Sequence, residues 1–169
     1  AGNGTIAQQK TNVLSAMVTS INRVNEIYER DLGIRLEFIP NNDEIIYLDP
    51  STDPWQNEFN TTTAVTIDNV IGVENYDIGH NYNDSGGGSA GCLGCVCSSS
   101  SQSNFHKGRA YTGSGNPTGD PFYIDYVAHE MGHQFYGWHT MNRCSRSGNN
   151  TEVEPGSGSS IMGLSLIHI

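Results

Sequence analysis

Basic residues are scarce: 8 Lys and Arg stand against 18 Asp and Glu, for a formal net charge of −10. A face that binds nucleic acid needs clustered Lys and Arg to meet the phosphates. Here the few basic side chains are scattered, so nucleic acid is excluded as a partner. The acidity reads as a solubility feature rather than as the mark of a cationic substrate. Long apolar runs are missing too, and nothing approaches the roughly 18 apolar residues of a membrane span. There is no basic start leading into an apolar stretch, so a signal peptide is not expected within these residues. With Ala1 in first place, the sequence is expected to be a mature or excised piece. Cysteine is limited to four residues, with Cys92, Cys95 and Cys97 clustered and Cys144 apart. That usage suits disulfides in an oxidising compartment. Internal repeats, a Ser-His-Asp pattern, a nucleophile elbow and a phosphate loop are all lacking.

What remains is a globular composition with polar loops: 36% hydrophobic, 15% charged, and 20 Gly among 169 residues. This is enough chain for one compact domain. Residues 6 to 30 place Leu14, Met17, Val18, Ile21, Val24 and Tyr28 at helical spacing, a core-facing helix that Gly33 ends. Alternation predicts a strand over residues 34–39, stopped by Pro40, and a second over 44–48 after a turn. Residues 49–60 read as loop. Residues 61–74 fit a helix with Ala64, Ile67, Val70 and Ile71 on one face, although β-branched residues oppose it. Residues 76–82 and 92–97 read as strands, joined by a glycine-rich loop, and 98–119 as a long surface loop. The mixture predicts an α/β (α+β) domain with a mixed sheet.

Asp120 can cap the next helix, and Pro121 fits its first turn, where a missing N–H costs nothing. Ile124, Val127, Ala128, Met131 and Phe135 form its apolar stripe, so His129, Glu130 and His133 take another face. Histidines four apart lie side by side, about 6 Å along the axis, and both can reach one zinc ion. Glu130 then stands on the flank of the metal, where it can take a proton from a zinc-bound water instead of ligating. A continuing helix would carry His139 about 15 Å beyond His129. The chain must therefore break after His133 and turn back for His139 to become the third ligand, usually through a left-handed glycine. Three imidazoles and an open fourth position make a catalytic zinc site, whereas a structural site would need a fourth protein ligand, with Cys144 the nearby candidate.

The stretch HEMGHQFYGWH, with Ser160-Ile161-Met162-Gly163 further on, resembles the metzincin zinc endopeptidases and their signature HExxHxxGxxH followed by a methionine turn. Residues 77–80, 88–97 and 154–162 are similar to the adamalysin or reprolysin-like peptidases, in particular their bacterial branch. The resemblance runs from about residue 5 to 163 and implies a catalytic domain with a twisted mixed sheet flanked by helices above a small C-terminal subdomain. Residues 1–139 would form the first part and 140–163 the second. The resemblance further implies cleavage of internal peptide bonds in proteins or peptides bound in extended form. It assigns zinc to His129, His133 and His139, the general base to Glu130, an apolar floor beneath the zinc to Met162, and a substrate-pairing edge strand to Gly88, Ser89, Ala90 and Gly91.

Two departures from the pattern stand out. Tyr136 occupies the consensus glycine place, with Gly137 just after it; Tyr136 in the left-handed conformation, at about 1–2 kcal/mol, is the expected solution. The tail at 164–169 is expected to be non-native, which would leave the C-terminal subdomain incomplete. Disulfides are preferred for the cysteines, with Cys97 a candidate to bridge toward the C-terminal subdomain. His80 is expected to be structural, and His106 and His168 without a role. The full expectation is a secreted, monomeric zinc endopeptidase, with room for calcium as a further ion. The alternative is a zinc-binding module without catalysis, used for stability or partner binding.

Overall fold

The computed structural model describes residues 3–56, 58–100, 105–140, 151, 153 and 160–163. Helix α1, Ile6–Leu32, opens on a capping box in which Thr5 and Gln8 satisfy each other's backbone N–H groups. Gly33 closes it at φ 68°, its N–H bonded to the Tyr28 carbonyl. Ile21, Val24 and Tyr28 are buried as expected, whereas Val18 faces solvent.

The strand expected over residues 34–39 carries no ladder pairing. The reason is a contact with α1. Asn25 on α1 takes both backbone groups of Leu36, donating to its carbonyl and accepting from its N–H, each at 2.8 Å. The strand expected over 44–48 is likewise replaced at its start by a 3₁₀ turn, Asn42–Ile45, because the polar run before it keeps turning.

Helix α2, Asn60–Val70, forms despite its β-branched residues and buries Thr63, Ala64, Thr66 and Ile67. Val70, expected on the same face, is exposed. Glu58 supports the start of α2 by accepting from the N–H groups of Thr61 and Thr62 at 2.8 and 2.9 Å.

The sheet is small and mixed. Strands β1, Asn81–Asn83, β2, Gly87–Ala90, and β3, Ala110–Gly113, are ordered β1-β3-β2. β1 runs parallel and β2 antiparallel to the central β3. β3 corrects the expected surface loop over 98–119: Ala110 and Thr112 are fully buried, but four small or polar residues between Gly-rich flanks give no readable alternation. The strand expected over 76–82 shrinks to β1. The one expected over 92–97 is a turn, closed by a Cys92–Cys95 disulfide and bent by left-handed Gly94 and Cys97. Side chains three apart on a strand face opposite sides, so this pairing and a strand are incompatible.

From Asp120 the chain is helical to Gln134 in three registers: α3, Asp120–Phe122, a π-helical segment, Tyr123–Ala128, and α4, His129–Gln134. Pro121 sits in the first turn as expected, but Gly119 is the N-cap residue and Asp120 does not cap. Its carboxylate instead pairs with Arg23 of α1 at 2.9 Å. Phe122, Val127, Ala128 and Met131 pack on Ile21, Val24 and Tyr28 in the main core. Tyr28 donates from its hydroxyl to the Ala128 carbonyl at 2.6 Å, where the π segment passes into α4. α1 thus fixes the depth and rotation of α4. Among the described residues, no helix is long and apolar enough to cross a membrane. Of the expected C-terminal part, Thr140, Thr151, Val153 and residues 160–163 are described; Cys144, His168 and the tail at 164–169 lie outside the described residues.

Candidate metal centre

α4 presents His129 and His133 one turn apart, and the chain then reverses. The turn is a Schellman motif: Tyr136 donates to the His133 carbonyl at 2.9 Å and Gly137 to the Gly132 carbonyl at 2.7 Å. Tyr136 occupies the left-handed position at φ 75°, as the sequence reading expects. Its ring lies over Gly94 and meets Trp138 edge-on at 6.1 Å, contacts that offset the backbone strain. His139 comes back as a result, with its Nε2 at 3.0 Å from Nε2 of both His129 and His133.

The partners of the other ring nitrogens set the tautomers. His129 Nδ1 lies 2.6 Å from the Ile161 carbonyl and His133 Nδ1 lies 2.6 Å from the Gly137 carbonyl. A carbonyl only accepts, so both Nδ1 atoms carry the proton and both Nε2 atoms point inward as bare lone pairs. A single proton on His139 could satisfy one of the two but not both. The ligand atoms of the three rings lie within 4.8 Å of one another, and together they could hold a metal ion. Carbonyl-anchored imidazoles of this kind fit zinc. Burial keeps the rings neutral, as a ligand set requires: it pushes His129 down to about 4, helped by the neighbouring histidines, and lowers His133 and His139.

Glu130, the residue after His129, is anchored to β2. It is buried, and its Oε2 accepts from the Ala90 N–H of β2 at 2.9 Å. Burial raises its carboxyl to about 7, against the opposing effect of the Ala90 bond. In the metal-free fold the ionised form is therefore disfavoured. The penalty is absent below the ordinary value of 4.5, where Glu130 is protonated in both states, and grows as pH rises to about 7. Metal-free Glu130→Gln is accordingly expected to match wild type near pH 4 and to exceed it by about 3 kcal/mol at pH 8. Urea unfolding at the two pH values checks this, and an equal difference at both would contradict it.

The segment with Met162 packs against α4 and its turn. Thr140 donates to the Met162 carbonyl at 3.0 Å and its hydroxyl meets that of Ser160 at 2.8 Å. Met162 lies against the turn that carries His133: a Cβ on Gly132 would come within 2.6 Å of its Sδ. Residues 88–90 belong to β2, an edge strand of the described sheet, while Gly91 continues its pairing by donating to the Arg109 carbonyl.

His80 is structural as expected, and its partner went unread in the sequence. Gln134, fully buried beside His133, donates through Nε2 to the Gly79 and Lys107 carbonyls at 3.0 and 3.1 Å. Its Oε1 must then accept from His80 Nδ1, and His80 Nε2 accepts from the Thr112 hydroxyl. This network ties the end of α4 to the sheet. His106, expected to lack a role, is buried with Nε2 at 3.1 Å from Asp68. Among the described cysteines, Cys92 and Cys95 are paired and Cys97 is an exposed thiol.

An α+β domain whose helix delivers two histidines, whose following turn returns a third, and whose Met162 lies against that helix and turn is a metzincin-type domain. A profile of the metallopeptidase family M12B, reprolysin-like, matches residues 2–167, and the chain belongs to that family. No curated protein and no solved structure matches it.

Proposed function

We propose that this chain is a zinc endopeptidase, with His129, His133 and His139 as the ligands and Glu130 as the proton carrier. The reading rests on the convergence of three imidazole Nε2 atoms, with a buried carboxylate at the residue that follows the first of them. Zinc in such a site supplies a Lewis acid that lowers the pKa of water to about 7 and polarises a carbonyl. The Ala90 N–H occupies Oε2 of Glu130 and leaves Oε1 to take the proton of the attacking water. A carboxylate with one oxygen held and the other open is suited to receiving that proton and then giving it to the leaving amine.

β2 supports an extended peptide as substrate. Gly91 bonds inward to β3, and in an antiparallel ladder alternate residues share a direction. Gly88 and Ala90 therefore turn their backbone groups to the free edge, where Gly88 offers both N–H and carbonyl and Ala90 its carbonyl. The Cys92–Cys95 disulfide supports an oxidising, extracellular setting. Metal analysis joined to hydrolysis of an unfolded protein substrate tests the reading. Stoichiometric zinc and chelator-sensitive cleavage at internal bonds are expected. Zinc without cleavage would leave a non-catalytic zinc-binding module, and no zinc would end both readings.

A further inference from the structure

We propose that β2 has a second task beside the substrate edge: Gly88 and the Ala90 amide are positioning elements for the Glu130 carboxylate. The inference deepens the peptidase reading and rests on it for its catalytic consequence. A Cβ at Gly88 would lie 2.7 Å from Glu130 Cγ, 2.9 Å from Cδ and 2.8 Å from Oε1. These separations are below any ordinary carbon contact, so the Glu130 side chain fills the volume a side chain at 88 would need. Backbone conformation does not explain the glycine. Gly87 stands at φ 90°, but Gly88 lies outside the left-handed region, and any residue could adopt its conformation.

The two contacts act together. Gly88 gives the carboxylate room against the strand, and Ala90, on the same free edge two residues on, donates to Oε2 at 2.9 Å. Glu130 is thus held across β2 with Oε1 set apart from Oε2. The obstacle a methyl group would meet is a flexible side chain and not backbone. Gly88→Ala therefore folds, and what yields is the carboxylate. The arrangement also limits substrate pairing, because the Ala90 N–H is already spoken for and a peptide on this edge finds a donor at Gly88 alone of the two.

The test compares Gly88→Ala with Gly86→Ala, where a Cβ meets nothing within 4 Å. Gly88→Ala is expected to keep stoichiometric zinc and the wild-type melting temperature. Its kcat should fall about 100-fold, the scale of a misplaced general base, while KM stays within about twofold. Gly86→Ala should behave as wild type. A second readout needs neither metal nor turnover. Hydrogen exchange at the Ala90 amide of the metal-free protein should quicken about tenfold in both Gly88→Ala and Glu130→Ala, as the bond to the carboxylate is lost. Wild-type kcat and unchanged Ala90 exchange in Gly88→Ala would overturn the proposal. So would a kcat loss that comes with zinc loss or a lowered melting temperature, since that would be a merely structural defect. If the wild-type protein binds zinc yet hydrolyses nothing, the peptidase reading fails by itself, and Ala90 exchange still decides whether β2 holds Glu130.

Discussion

Glu130→Gln should bind zinc like the wild type and hydrolyse a protein substrate about a thousandfold more slowly. The substitution keeps the length and shape of the side chain, and its amide oxygen can still accept from the Ala90 N–H. Room beside Gly88 is unchanged as well, because the atoms that fill it have the same count and branching. What disappears is the ability to take up a proton. An amide cannot relieve the attacking water of its proton, nor deliver one to the leaving amine, so both halves of the reaction lose their carrier. None of the three imidazoles touches Glu130 through the nitrogen aimed at the common point, so the ligand set is untouched. Metal content and kcat/KM, measured on the same preparation, separate these effects. Full zinc with activity within about tenfold of wild type would take the proton-transfer role away from Glu130. Full zinc with the activity lost separates a peptidase from a module that merely binds metal, since such a module has no activity to lose.

The site was legible in the sequence because its rules are local. Two histidines four apart on a helix must share a face, and the residue between helix end and third histidine must reverse the chain; Tyr136 at φ 75° does so, with Gly137 completing the Schellman bonds. The fold around it was less legible, since its decisive contacts are distant ones. Asn25 removes a strand by capturing Leu36 from eleven residues away. β3 is central to the sheet yet made of Ala110, Tyr111, Thr112 and Gly113, whose burial comes from what packs on them and not from their own hydrophobicity. Gln134 reads as a surface residue in the string HEMGHQ, and only the carbonyls of Gly79 and Lys107 make it a buried anchor. Cysteine pairing is open in any sequence with four cysteines, and the turn at Gly94 brings Cys92 to Cys95. Gly88 carries no mark either. Its importance lies in a carboxylate forty-two positions on, at Glu130, that needs its missing side chain.

The second large effect concerns His139, the ligand that the turn must bring back. Without it, His129 and His133 remain as two imidazoles on one helix, and zinc affinity should fall at least about 100-fold, the upper scale of losses from disturbing even the outer partners of a ligand. Stability reports the loss directly. With free zinc at about a thousand times the wild-type Kd, binding adds about 4.1 kcal/mol to the fold; a 100-fold weaker site retains about 1.4 kcal/mol. The difference corresponds to about 5–11 °C of zinc-induced melting shift for a domain of this size. In the absence of metal the two proteins should melt close together, because His139 is only half-buried and its Nε2 faces other ring nitrogens instead of a donor–acceptor network. Melting His139→Ala and wild type with and without zinc therefore isolates the metal from the fold. An equal zinc shift in both would remove His139 from the ligand set and leave the Tyr136 turn without a metal to serve, whereas a lowered metal-free melting temperature alone would mark His139 as a packing residue.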